Sequence, residues 1–225
     1  MSNVKSIMIY LGIFLAELFL LYLFARKLHQ GFGKFFYKIT RSKKVTMYLF
    51  ALLFLPGTLL HELSHFFTAL FLLVPVGNID LFPKMTDEHE IKLGSVPIGQ
   101  TDFVRRAIIG VAPFIFGLFA LFGLAYYVTT GGHLINILSH ILFGYVVFQI
   151  SNTMFSSKKD LEGSWKMIVL FIFAAVLFRV FGLHLDIVSI GVFLTPILSQ
   201  VVVFLTIPII INFVFLLLFR FAKLV

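Results

Sequence analysis

Residues 45–75 read VTMYLFALLFLPGTLLHELSHFFTALFLLVP. About 20 such residues cross the hydrocarbon core of a bilayer as a helix. This longer run predicts a tilted or kinked span, bent at Pro56 and Gly57. Its only acidic or basic residues are His61, Glu62 and His65. Each unpaired ionisable group inside a membrane helix costs about 2.5–3.5 kcal/mol, so three within a turn and a half need a shared reason.

The rest of the chain has the same character. Of 225 residues, 60% are hydrophobic, 12% are charged and 30 are Phe, too much apolar surface for a soluble core of this size. The expected fold class is an all-α polytopic membrane protein of about six transmembrane helices, integral to a bilayer and crossing it several times. The spans fall near 7–24, 45–75, 104–129, 134–154, 166–183 and 187–220. The first is too long for a signal-peptide core and lacks a small-residue cleavage site, so it reads as a retained span. The sixth holds Pro196 and Pro208 and is also readable as two segments.

The connections divide by chemistry. Residues 25–44 carry seven basic residues and no acid, interspersed with aromatics, which predicts a segment lying on lipid headgroups. Residues 76–103 resemble a water-facing module, with strands predicted at 79–82 and 90–98 around a polar turn at 85–89: a small β-hairpin between the second and third spans. Six spans put this loop and the charged loop after span four on one side of the membrane. Basic residues are dense at 25–44 but more numerous in total on the opposite side, so charge assigns no orientation. With neither repeat nor linker, 1–225 reads as one membrane-embedded domain with its core at 45–165, and nothing in it sets an oligomeric state.

The net charge of +8 lies at span ends and in short loops, and most aromatics lie in apolar runs, so nucleic acid is not an expected partner. The partners implied are the lipid bilayer and, if the chain is an enzyme, a substrate within it. With no cysteine, disulfides, iron–sulfur clusters and thiol catalysis are excluded, and any metal must be held by His and carboxylate.

On a helix, His61 and His65 lie nearly above one another and can offer two imidazoles to one metal. Glu62 is placed to take a proton from water that zinc has acidified to a pKa of about 7. Chance would produce the pattern about once in two hundred sequences with these few His and Glu residues. Zinc holding a reactive water wants a third protein ligand. The candidates are Glu17, Asp80, Asp87, Glu88, His89, Glu90, Asp102, His133, His140, Asp160 and Glu162. Asp160 is best placed, closely following span four on the side where the HELSH helix ends, although beside Lys158 and Lys159 it reads equally well as a solvated loop carboxylate.

Three stretches, LPGTLLHELSHFFTALFL (55–72), GVAPFIFG (110–117) and SNTMFSSKKD (151–160), together resemble the site-2 protease family of intramembrane zinc metalloproteases. In that family a membrane helix carries HExxH and a short β-module follows it. A later helix bears a small-residue Gly-Pro motif, and a loop of the form Asn-x-x-Pro-x-x-x-x-Asp-Gly donates the third zinc ligand. Asn152 and Asp160 stand eight apart, as that loop requires. The resemblance implies zinc on His61, His65 and Asp160, Glu62 as general base, and Asn152 holding the substrate strand. It implies a zinc-dependent intramembrane endopeptidase that cleaves a transmembrane protein within or beside its span. Phe155 stands where the motif has Pro, Leu161 where it has Gly, and Ser64 where HExGH has Gly, which marks a divergent member.

Two other readings stay open. A different membrane zinc protease would take Glu162 as third ligand, and a metal-binding transporter or non-catalytic scaffold would bind without hydrolysis. Among the remaining polar residues, His140, Gln149, Gln200 and Asn212 are expected to hydrogen-bond between helices, and Gly110 and Pro113 to permit close approach or a kink. The 79–98 hairpin could accept substrate as an added strand, with Asp102, Arg105 and Arg106 lining a polar funnel.

Overall fold

A computed structural model of the chain describes residues 2–79, 84–85, 91–92, 94–132, 136–155, 157, 160, 169, 172–173, 177, 179–180 and 187–224. The described elements are α1 (Ser2–Thr40), α2 (Lys43–Phe71), β1 (Lys84–Met85), β2 (Ile91–Lys92), α3 (Phe103–Thr129), α4 (Ile137–Thr153) and α5 (Ile187–Phe221). Four helices among the described residues are long and apolar enough to cross a membrane: Lys5–Thr40, Lys43–Phe71, Phe103–Val128 and Leu194–Phe221. Six spans are therefore not supported. The predicted span at 134–154 forms a helix of only 17 residues, short of the roughly 20 a crossing needs, and most of 166–183 lies outside the described residues.

The basic stretch at 25–44, expected to lie on lipid headgroups beyond a span ending at 24, continues the first helix for most of its length. α1 continues through it to Thr40 because Ala25, Leu28 and Phe32, spaced three and four apart, make a buried helical face. That face packs with Phe50, Phe54, Phe148 and Phe219, while Arg26, Lys27, Lys34 and Lys38 stay exposed. The chain then reverses sharply. Arg41 adopts a left-handed φ of 53°, and the Ser42 side chain accepts from the Val45 N–H to start α2.

α5 packs most extensively along α1, and α2 lies against α1, α3 and α4. Leu21, Leu121, Val147, Ile150, Met154, Val201 and Leu205 interlock α1, α3, α4 and α5 in one buried cluster. Within the α1–α5 contact the Thr206 hydroxyl donates to Glu17 Oε1 at 3.1 Å.

The expected β-hairpin with strands at 79–82 and 90–98 is not supported. What is described is two residue pairs, Lys84 with Lys92 and Met85 with Ile91, and an isolated bridge between Val76 and Ile98 at the neck of the loop. At that neck the Gly77 N–H donates to the Pro97 carbonyl and the Gly99 N–H to the Pro75 carbonyl, both at 2.8 Å. Prolines at 75, 83 and 97 have no N–H for a ladder, which limits how far pairing can run.

Candidate metal centre

The site begins with the way α4 docks on α2. Gly57 has no side chain, and α4 fills the space, with Thr153 and the Gln149 carbonyl where a Cβ would stand. One turn earlier, the Tyr145 hydroxyl and the Gln149 amide both donate to the Leu53 carbonyl, at 2.8 and 2.6 Å. Position 53 thus meets 145 and 149, while 57 meets 149 and 153: the two helices ascend side by side in the same direction. α4 therefore ends beside His61. α3 runs the opposite way, with Ile109 level with His65 and Gly117 against Met154.

Each histidine is oriented by the main chain of a different helix. His61 Nδ1 lies 2.7 Å from the Thr153 carbonyl, and His65 Nδ1 lies 2.8 Å from the Ile109 carbonyl. A carbonyl oxygen only accepts, so both Nδ1 atoms donate, and Nε2 is the ring nitrogen that each histidine can offer to a metal once that nitrogen is deprotonated. Thr153 ends α4, where a helix carbonyl lacks an intrahelical partner. The two Nε2 atoms face the same carboxylate: His61 Nε2 is 3.7 Å from Asp160 Oδ2, and His65 Nε2 is 3.7 Å from Asp160 Oδ1.

Asp160 is held for this task by its own turn. The Ser157 N–H donates to Asp160 Oδ2 at 2.7 Å, and the Asp160 N–H donates to the Ser157 hydroxyl at 3.2 Å. Burial alone would push the carboxyl up, but its contacts with His61, His65 and Ser157 outweigh burial and hold it well below the usual carboxylate range. It is an anion at neutral pH, the form a metal requires.

The three residues fit a metal ion. One ligand atom from each lies within 4.8 Å of the others. Zinc bonds of about 2.0–2.1 Å in tetrahedral geometry set ligand atoms about 3.3 Å apart, so a bound ion would draw these atoms in from separations of up to 4.8 Å. His65 Nε2 is also a buried nitrogen with no hydrogen-bond partner among the described residues. A buried nitrogen with only the Asp160 carboxylate at 3.7 Å beside it is costly unless a further partner reaches it.

Glu62 is buried beside its two neighbours. Gly94, on the return segment of the 76–102 loop, passes so close that an added Cβ would sit 2.9 Å from Glu62 Cγ and 3.2 Å from Oε1. The loop thus roofs the carboxylate. Asn152 is buried and its amide is closed on itself: Nδ2 donates to the Phe148 carbonyl at 2.8 Å and to Asn212 Oδ1 at 3.0 Å, while Oδ1 accepts from Asn212 Nδ2 at 2.9 Å.

Among the described residues, no other candidate joins the cluster. Asp102 caps α3, accepting from the Val104 and Arg105 N–H groups and pairing with Arg105 at 3.3 Å. His140 bonds the Asn136 carbonyl of its own helix start and not a neighbouring helix. Glu162, Asp80, Asp87, Glu88, His89, Glu90 and His133 lie outside the described residues. Sequence reasoning missed the Thr153 and Ile109 carbonyls, for which no side chain gives a signal. It also missed Gly94, whose only signal was a glycine inside a predicted strand.

Compared with protein-family models, with curated proteins and with solved structures, the chain matches none.

Proposed function

We propose that this chain is a multi-pass integral membrane zinc endopeptidase, a divergent member of the site-2 protease type, acting on a peptide bond within or beside a transmembrane segment. The observation that carries the reading is the convergence of His61, His65 and Asp160 from two separate elements, with both imidazoles turned by main-chain carbonyls so that Nε2 faces the carboxylate. Buried Glu62, one residue from His61, completes the set. A scaffold that merely stored a metal would have no use for that carboxylate.

His61, His65 and Asp160 would hold the ion, which when bound would polarise the scissile carbonyl and acidify water. Glu62 takes the proton of the attacking water and returns it to the leaving amine, so the chain itself supplies base and acid in turn. Burial beneath the Gly94 segment keeps that carboxylate from bulk solvent. The exposed apolar side chains along α1 and α5, such as Met8, Phe19, Val203 and Ile210, fit contact with lipid.

The test is zinc content of the detergent-purified protein, together with mass-spectrometric detection of products from a library of bilayer-spanning peptides. Wild type and Glu62→Gln should each carry about one zinc, while His61→Ala and Asp160→Ala lose it and Glu162→Ala keeps it. Cleavage should fall about 100- to 10,000-fold in Glu62→Gln. Folded wild type without zinc would overturn the proposal. Loss of zinc in Glu162→Ala with retention in Asp160→Ala would favour the other protease class, and metal binding with no products would favour the transporter or scaffold.

A further inference from the structure

The carbonyl that orients His65 is free because of a proline. In an α-helix each carbonyl accepts from the N–H four residues on. For Ile109 that residue is Pro113, inside α3, which has no N–H. The Ile109 oxygen is thus left without its ladder partner within a helix, and in its place the oxygen accepts the His65 Nδ1 proton from α2 at 2.8 Å. Both Ile109 and Pro113 are fully buried, so water does not substitute.

We infer that Pro113 is a positioning residue of the metal centre: by withholding a backbone proton it reserves the Ile109 carbonyl for His65 and thereby sets which nitrogen faces Asp160. The inference rests on the metal-centre reading above and adds a role for a residue that is not itself one of the three ligands. His61 needs no such device, because its acceptor, the Thr153 carbonyl, lies at a helix end. Mid-helix, a proline is the residue that leaves one carbonyl open while the rest of the ladder continues. A proline inside a helix is costly for helix propensity, a cost that this role would offset.

The experiment titrates the full-length metal-free protein with Co²⁺ alone, reading the visible d–d spectrum and the dissociation constant. Three variants accompany wild type. Pro113→Ala restores the N–H, which then competes for the Ile109 oxygen. Replacement of Pro113 by lactic acid, the hydroxy-acid analogue of alanine, removes the ring but still supplies no N–H. Pro208→Ala makes the same backbone change in α5, away from the site. Pro113→Ala should bind Co²⁺ about 10- to 100-fold more weakly and with an altered spectrum, as expected when a ligand's supporting hydrogen bond is weakened. The lactic acid variant and Pro208→Ala should match wild type. If Pro113→Ala keeps the wild-type spectrum and affinity while only its thermal stability moves, the inference fails. It also fails if the lactic acid variant binds as weakly as Pro113→Ala, since the ring would then be what matters. Should Pro113→Ala not fold, the lactic acid variant decides by the same criterion. Absence of Co²⁺ binding in wild type itself would instead overturn the metal-centre reading beneath.

Discussion

Glu62 lies against the backbone of Gly94. Because an added Cβ at position 94 would come within 2.9 Å of Glu62 Cγ and 3.2 Å of Thr58 Cγ2, Gly94→Ala must displace either the loop or the carboxylate. A reacting group moved by about 1 Å can lose about 100-fold in rate, so Gly94→Ala should slow peptide cleavage about 10- to 100-fold while zinc content stays at wild-type level. Equal losses of zinc and cleavage would mean that Gly94 supports the ligands and not the base. At this scale the grouping of His61, His65 and Asp160 was legible. The i, i+4 histidines needed only helix geometry, whereas spacing left Asp160 equally readable as a solvated loop carboxylate, and its place beside them was implied by the resemblance to the site-2 protease loop. The partners of the two Nδ1 atoms were not legible, because main-chain carbonyls are common to all residues and only packing selects one. Asn152 and Asn212 were both visible as polar residues in apolar runs, but 60 residues separate them, and their reciprocal pair depends on how α5 lies.

Between elements, the decisive contact is α2 with α4 at Gly57. Any side chain there meets Thr153 and the Gln149 carbonyl, so Gly57→Ala should push the end of α4 away from His61. Overpacking of this kind costs about 1–3 kcal/mol. It should lower the melting temperature and, because the Thr153 carbonyl moves, weaken zinc binding as well. Loss of stability with unchanged zinc affinity would show that α4 can yield without disturbing His61. The start of α3 carries its own pH dependence. The Arg105 N–H, then the Val104 N–H and the Arg105 guanidinium, hold the Asp102 carboxyl below its usual range. A carboxyl lowered on folding stabilises above its unfolded pKa of about 4 and loses that contribution as pH falls through the folded value. Amide exchange over 103–107, corrected for intrinsic rates, should therefore quicken below about pH 4 in wild type. In Asp102→Asn, which caps without titrating, it should not. The helices themselves were legible from apolar length, but α1 was cut short at 24 in the reading. A run of lysines and arginines reads as a separate headgroup segment until Ala25, Leu28 and Phe32 are seen to share its hidden face.

For the molecule as a whole, a bound ion joins α2 to the turn after α4 and should raise global stability. At a free zinc concentration of about 100 times Kd the gain is about 2.7 kcal/mol, or about 5–10 °C in Tm for a chain of this size. Chelation should remove the shift in wild type, and Asp160→Ala should show none; an equal shift in Asp160→Ala would point to zinc bound elsewhere. The helical, lipid-suited character followed from composition alone. The number of crossings did not, because apolar length near the threshold, as in α4, does not say whether a helix traverses or only fills the interior. The order in which the parts of the site leave the ribosome has a further consequence. The two histidines are synthesised early, the Ile109 carbonyl some 44 residues after His65, and the Thr153 carbonyl and Asp160 later still. A nascent chain that has inserted only α2 displays two imidazoles with neither one turned and no carboxylate facing them. On the proposed reading, the set of groups that would capture an ion is complete only once the chain has been made past residue 160, so a shorter nascent chain carries the two histidines without the site.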